Sequence, residues 1–346
     1  MVTLWSRIVI DWVTAILPCQ NSGDVIGGIV ASITPHGEIE WQVEKKVSVP
    51  GSHEANISVK SIGTANIMLD GNPAKWLQGH NLFGSDDLRE LVFATMERLT
   101  ALLRLSPSAD DLNSWRRGKY DLKRVDCTAM WELPRRPDVR AWLRAAEFQS
   151  KSRHGRPVTR GSTLYFGQHS RRWSVKFYSK GDELDAVSKG HSLPTDIAQH
   201  DKLHKWADNK LRGELTLRAM ALKELHLDRA SGWNSSTPLE QLLSKIEGLS
   251  MAEQFSLTSA SIEGLPGRLV AVYKLWKEGE DLRGMYSRAT FYRYRSELLK
   301  HGIDIAIRQP PKASNVIPLV RVLRPEAIAQ VPEWAINTPL YFELKR

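Results

Sequence analysis

The alternation of apolar and polar positions is clearest between Thr163 and Leu184, where TLYFGQHSRRWSVKFYSKGDEL predicts a β-hairpin. An apolar run reaches Phe166, a polar turn occupies Gly167 to Arg172, and period-two alternation runs from Trp173 to Lys180. Successive strand side chains point to opposite faces. Trp173, Val175 and Phe177 therefore share a core face, while Lys176, Tyr178 and Lys180 share the polar one. That second face sets a phenol between two ammonium groups.

Two other predicted strands carry an acid on their polar side. In RRGKYDLKRVDCTAMWELP, the residues Leu122, Arg124, Asp126 and Thr128 alternate with Lys123, Val125 and Cys127. An acid with apolar neighbours is uncommon unless it is paired or holds a metal, and a salt bridge to Arg124 or to an arginine of a neighbouring strand is the simplest account. In KLRGELTLRA, Leu211, Gly213, Leu215 and Leu217 alternate with Arg212, Glu214, Thr216 and Arg218. If the three strands share a sheet, Asp126, Tyr178 and Glu214 converge. Two carboxylates, with Glu183 as a third, can hold Mg2+ or Mn2+ through oxygen ligands, and such an ion polarises a phosphodiester. A tyrosine alongside can act as nucleophile. Its phenol, with an ordinary pKa of about 10, needs deprotonation or charge stabilisation, which Lys176 and Lys180 can supply. An ion network on a sheet surface accounts for the same spacing, and Tyr165 and Tyr120 are rival phenols.

The remaining pattern frames these strands. β-branched clusters at Ile8 to Ile10, Ile39 to Val49, Ile57 to Val59 and Ile67 to Leu69 predict an antiparallel sheet in the first 70 residues. Ser85, Asp86 and Asp87 precede apolar positions Leu88, Leu91, Val92, Met96 and Leu99, the signature of a capped amphipathic helix. His80, in the Gly79-His80-Asn81 turn before it, reads as structural rather than catalytic. A Ser- and Asp-rich linker is expected next, then a helix from Pro137 to Phe148, a basic loop SKSRHGRPVTRGS, and a loosely helical stretch from Gly181 to Lys210. Beyond about residue 240 the pattern turns helical: Leu265-Pro266-Gly267 introduces a helix to Gly279, and Ser287 caps another to Gly302. The pair predicts a helix-turn-helix, or equally a plain helical hairpin with Phe291 and Tyr294 in its core. IRQPPKASNVIPLVRVLRP is expected as a closing β-segment or wing. The fold class is α+β: an antiparallel sheet with packed helices over 1–240, and a mainly helical region with helix-turn-helix or winged-helix character over 241–346.

Composition narrows the partners. The 346 residues are 42% hydrophobic and 25% charged, enough for a sizeable core and about two domains. The net charge of +9 calls for a polyanion. Lys151 to Lys180 holds eight Lys/Arg and no acid, interleaved with Tyr165, Phe166, Trp173 and Phe177, which suits phosphate contact with base stacking better than a membrane surface. Arg156, Arg160, Arg171 and Arg172 are the candidate DNA contacts there, and Arg288, Arg293 and Arg295 those of the C-terminal helices. Cys19 and Cys127 suggest neither a disulfide framework nor a zinc site, so a reducing, intracellular setting is expected. Arg7 and Asp11 interrupt LWSRIVIDWVTAILP, which reads as a first strand and not as a membrane anchor.

PAKWLQGHNLFG (Pro73 to Gly84), RVD (Arg124 to Asp126), FYSKGDEL (Phe177 to Leu184), LRGELTLR (Leu211 to Arg218) and NVIPLVRVL (Asn315 to Leu323) occur in an order that resembles the gene II replication endonucleases of filamentous bacteriophages, initiators of rolling-circle replication. The resemblance implies that Tyr178, in a Y-x-K-x-x-E-L element with Lys180, Glu183 and Leu184, bonds covalently to DNA. It implies Asp126, Glu183 and Glu214 as acids for Mg2+ or Mn2+. It further implies nicking of the plus strand of double-stranded origin DNA through a 5′-phosphotyrosine, later rejoining of the displaced single strand, a host helicase and DNA polymerase as partners, and the host bacterial cytoplasm as location. The His-hydrophobic-His pair of other rolling-circle nucleases is missing, so carboxylates would do most of any metal binding. A non-enzymatic DNA-binding regulator is the alternative; a tyrosine recombinase lacks its expected Arg and His residues around a C-terminal tyrosine.

Overall fold

Long alternating segments pair into one antiparallel sheet because each offers an apolar face to a common core. A computed structural model describes residues 8–20, 25–151, 157–160, 162–186, 192–251, 265–277, 280–301, 303–307 and 322–342. The first strands are β1 (Val9–Pro18), β2 (Ile29–Ile33), β3 (Ile39–Glu44), β4 (Val47–Pro50), β5 (Asn56–Ile62) and β6 (Asn66–Gly71), followed by helices α1 (Pro73–Gln78), α2 (Leu88–Leu103) and α3 (Ala109–Arg116). Next come β7 (Asp121–Glu132), α4 (Arg136–Gln149), β8 (Ser150–Lys151), β9 (Val158–Arg160), β10 (Thr163–Phe166), β11 (Trp173–Ser179), α5 (Lys180–Asp185), α6 (His200–Ala207), β12 (Lys210–Arg218), α7 (Ala219–Glu224), α8 (Thr237–Glu247) and β13 (Ser250–Met251). Among the described residues nine strands run in the order β4-β5-β6-β1-β7-β12-β11-β10-β9, while β2 with β3 and β8 with β13 form separate pairs.

Each face of the sheet has its own cover. Val13, Ala15 and Leu17 of β1, Val125 and Cys127 of β7, Val175 and Phe177 of β11 and Leu215 of β12 form the main core with α2, Val139 and Trp142 of α4 and Leu242 of α8. On the opposite face, Leu82, Phe83, Met130, Leu184, Leu203, Ala207, Val331 and Leu340 make a second, smaller core. The C-terminal segment 322–342 helps to build both cores. Trp131 Nε1 donates to the carbonyl of Arg324 at 3.1 Å, and Ala329 N–H donates to the carbonyl of Met130 at 2.7 Å. The helices α9 (Gly267–Lys277), α10 (Leu282–Met285) and α11 (Arg288–Leu299) form a third cluster around Tyr273, Trp276, Phe291 and Leu298.

The α+β class, the antiparallel sheet, the hairpin and the C-terminal helices agree with the sequence. Several local expectations do not. The cap of α2 is Asp87, whose carboxylate accepts from Glu90 N–H, while Ser85 accepts from Asp87 N–H. The expected Ser/Asp linker contains α3, closed by a capping box between Ser108 and Asp111. Lys180 does not extend β11, because Ser179 caps a helix there and Lys180 opens α5. Leu122 belongs to the core rather than to the face of Asp126, since a bulge at Lys123 shifts the β1–β7 register. Ser287 does cap α11, but the expected ends at Gly279 and Gly302 and most of the wing, 308–321, lie outside the described residues.

Gly213 is tightly packed beside the hairpin. A Cβ there would lie 2.7 Å from Trp131 Cζ3 and 2.8 Å from Phe177 Cε1, so Gly213→Ala is expected to overpack the core by about 1–3 kcal/mol. Thermal unfolding followed by circular dichroism checks this; a midpoint equal to wild type would contradict it.

Candidate active site

Strand register assembles the site. Tyr178 of β11 lies opposite Arg212 of β12, which lies opposite Met130 of β7; two residues along, Lys176, Glu214 and Thr128 form the next row. Asp126 pairs with Thr216 in the row after that. Neighbouring strands place such residues within about 5 Å of each other, and diagonal ones within about 8 Å. On β1 a second bulge falls between Ile10 and Trp12, and it turns Asp11 towards the same face.

The contacts are dense. The Tyr178 hydroxyl donates to Glu214 Oε2 at 3.4 Å, Arg212 Nε lies 3.8 Å from that same oxygen, and Lys176 Nζ sits 2.7 Å from Glu214 Oε1. Arg212 continues to the other side: its Nη1 donates to the Asn81 carbonyl at 2.7 Å and its Nη2 lies 2.9 Å from Asp11 Oδ2. Asp11 Oδ1 also accepts from the amide groups of Asn81 and Asn72. Lys180 Nζ pairs with Glu183 and donates to Asn81 Oδ1 at 3.3 Å. Asp126 takes a two-pronged bond from Arg124, at 2.8 and 2.6 Å.

The centre of the cluster is buried. Tyr178 is 5% exposed, Glu214 3% and Arg212 0%, so the expectation of a wet polar face is corrected: the second core and the segment from Gly79 to Gly84 roof it over. Burial, reinforced by the charges of Glu183, Glu214 and Asp11, raises the Tyr178 pKa well above that of a free phenol, against the pull of Arg212. Burial and the nearby Asp11 and Asp126 push Glu214 up to about 7 despite Lys176. Burial would raise Asp11 as well, but Arg212 and Asn81 hold it at about 2. Asp126 is raised by burial and by the charge of Asp11, in opposition to Arg124. Burial lowers Lys180; burial acts on Lys176 in the same sense, but Glu214 outweighs it and raises that lysine.

Of the residues singled out from sequence, Lys176, Tyr178, Asp126 and Glu214 share this face. Lys180 and Glu183 form a pair at the start of α5, on the Tyr178 side. The sequence reading missed Asp11, Arg212 and Asn81. Each left a trace: an acid breaking an apolar strand, an arginine on the same alternating face as Glu214, and the asparagine beside His80. Arg160, Arg171, Arg172, Arg288 and Arg293 are exposed, with Arg172 bonded to Glu224 at 2.7 Å. Arg295 is held by Asp304 through bonds of 2.7 and 2.8 Å, and Arg156 lies outside the described residues.

Asp11, Asp126 and Glu214 offer only oxygen, the donor type that hard divalent ions take. Among the described residues, however, no three potential ligands are grouped around a common point. Arg124, Lys176 and Arg212 supply the compensating charge.

The comparisons with known proteins bear on this arrangement. Residues 9–236 match the model for the N-terminal region of the gene II replication-associated protein, and residues 267–340 match that for its C-terminal region. The chain belongs to the gene II replication-associated protein family of filamentous phages. It is 44% identical over 321 residues to the replication-associated protein of Enterobacteria phage I2-2, covering 91% of this chain and 93% of that protein. It is 23% identical over 368 residues to the protein of that name from Enterobacteria phage M13, covering 87% and 88%. A solved rolling circle replication initiator protein from Geobacillus stearothermophilus aligns over 88% of this chain and 99% of its own at 13% identity and a TM-score of 0.32, a likeness too slight to transfer any residue. Both family matches are compatible with the sheet and the C-terminal helices described above. No helix among the described residues is long and apolar enough to cross a membrane.

His80 supplies a test of the roof over the site. Its Nδ1 accepts from Leu82 N–H, and burial drives its pKa from 6.5 down to about 3. The unfolded chain therefore takes up a proton that the folded chain refuses once pH drops below about 6.5. Stability from this residue is complete above that pH and declines by up to about 1.4 kcal/mol per pH unit towards pH 3. His80→Asn, which keeps an acceptor without the titration, is expected to flatten the fall in melting temperature between pH 7 and pH 4; parallel curves for the two proteins would contradict it.

Proposed function

We propose that this gene II family chain initiates rolling-circle replication by cutting one strand of double-stranded origin DNA with Tyr178 and later rejoining it. The observation that carries the reading is the Tyr178 phenol held against Glu214 in the same cluster as Arg212 and Lys176. The phenolic oxygen bonds to phosphorus as the bond from phosphorus to O3′ breaks, leaving a 5′-phosphotyrosine and a 3′-hydroxyl. Glu214 accepts the phenol's hydrogen bond and would receive its proton. Arg212 and Lys176 offset the negative charge that grows on the phenolic and phosphoryl oxygens. Lys180, paired with Glu183 at the start of α5, would return a proton to O3′. The covalent ester conserves the phosphodiester, so joining is the same exchange in reverse.

Mg2+ or Mn2+ belongs to the proposal, held by Asp126 and Glu214 with Asp11 as a third acid in preference to Glu183; bound there, it would supply charge neutralisation at the phosphate. The proposed division is a nicking and joining unit over 1–240 and a DNA-reading unit over 241–346, with 322–342 returning to the sheet. Arg160, Arg171, Arg172, Arg288 and Arg293 are its proposed duplex contacts, and host helicase and polymerase in the bacterial cytoplasm its proposed partners.

Supercoiled origin DNA incubated with the protein and Mg2+ is expected to become nicked and to carry covalently bound protein. Tyr178→Phe is expected to abolish both; undiminished nicking by this variant would remove Tyr178 from the chemistry. Chelation is expected to stop nicking and added Mn2+ to restore it. Duplex binding with no nicking under any condition would favour a regulator.

A further inference from the structure

An open cleft of about 630 Å3 lies at the end of the sheet where β7 finishes and β12 begins. Two half-buried indoles, Trp206 and Trp334, line it among Arg135, Lys202, Lys205 and Lys210. Of the acids in its wall, Glu132 is paired with Lys210 and Asp208 with Arg136. The lining keeps a surplus of positive charge. Lys210 is buried and stands 5.0 Å from the centre of the Trp206 ring, while the exposed Lys202 stands 6.0 Å from that of Trp334. Neither indole is needed by the chemistry above.

The cleft lies near Tyr178 along the sheet. Lys210 opens the strand that carries Arg212, the cross-strand partner of Tyr178, two residues on, which is about 7 Å at the rise of a strand. Gly181, three residues after Tyr178, packs against the cleft wall so closely that a Cβ would lie 2.6 Å from the Asp208 carbonyl and 2.9 Å from Arg136 Nε.

We propose that this cleft holds unpaired nucleotides of the strand being cut or joined, with Trp206 and Trp334 as stacking platforms and Lys202 and Lys205 as phosphate contacts. This rests on the strand-cutting reading and gives that site its single-stranded subsite. Indole faces between ammonium groups match a base-and-phosphate repeat, and only bases out of a duplex expose a face for stacking. Lys202, on a flexible exposed side chain, moves from the Trp334 ring to a phosphate as a base takes its place. Lys210, pinned by Glu132 and Asn209, backs Trp206 from behind.

The test is a fluorescence titration of the full-length chain with a short oligothymidylate, with no metal added. Binding is expected to quench tryptophan emission. The double variant Lys202→Glu/Lys205→Glu, which alters only exposed side chains, is expected to weaken binding about tenfold or more and to lower the slope of log affinity against log salt by roughly 1.4, two phosphate contacts on a single strand. Trp334→Leu is expected to weaken it about tenfold through lost stacking. Wild-type affinity in both variants, or no binding of the oligonucleotide by the wild-type chain, overturns the cleft. The nicking assay reads the other claim separately: Tyr178→Phe is expected to bind the oligonucleotide as wild type does, so a fully nicking Tyr178→Phe with these binding losses intact would sink the nucleophile and leave the cleft standing.

Discussion

A guanidinium with no exposed surface sits in the middle of the sheet, and the site is arranged around balancing its charge. Arg212 lies between two apolar layers, so its charge must be answered inside the protein. Asp11, Glu214 and the Asn81 carbonyl answer it, and they come from a bulge on β1, from β12 itself and from the turn after α1. Removing one partner of such a buried pair costs about 3–5 kcal/mol. The bulge at Asp11 and the path from Gly79 to Gly84 are thus tied to one side chain, and so is the roof that excludes water from Tyr178.

That enclosure sets the chemistry. A buried phenol surrounded by three acids is held neutral, and the cations around it are largely spent on those acids. An incoming phosphate would compete with the carboxylates for Arg212 and Lys176. The same low-dielectric setting that keeps the tyrosine protonated makes these cations stronger once a phosphoryl group replaces an acid as their partner.

Much of this was legible in the sequence. Strict alternation placed Lys176, Tyr178, Asp126 and Glu214 on common faces, and the ion pair of Asp126 with Arg124 was the simplest account of a buried acid. Alternation fails at bulges, which is why Leu122 lies on the core side and why Asp11, visible as a break in an apolar run, is not assigned to the site. It also cannot say what covers a face. The polar-face groups are enclosed because the second core, with Leu184, Leu203 and Leu340 drawn from separate elements, packs on the same side of the sheet. Lys180 was assigned to the strand since nothing in the period distinguishes its last residue from the first of a helix capped by Ser179. Ser108 and Asp111 looked like a linker because capping residues and loop residues are the same amino acids.

The return of residues 322–342 to the sheet has a consequence for how the protein comes into being. Trp131 reaches its partner at Arg324 across 193 positions, and part of the roof, Val331 to Leu340, leaves the ribosome after every strand beneath it. Closing so long a loop is entropically costly and slow compared with pairing adjacent strands. The sheet can form while the chain is still growing, with its charged centre open to water. The C-terminal part of the cover around Tyr178 can therefore close only after all the strands beneath it have been made.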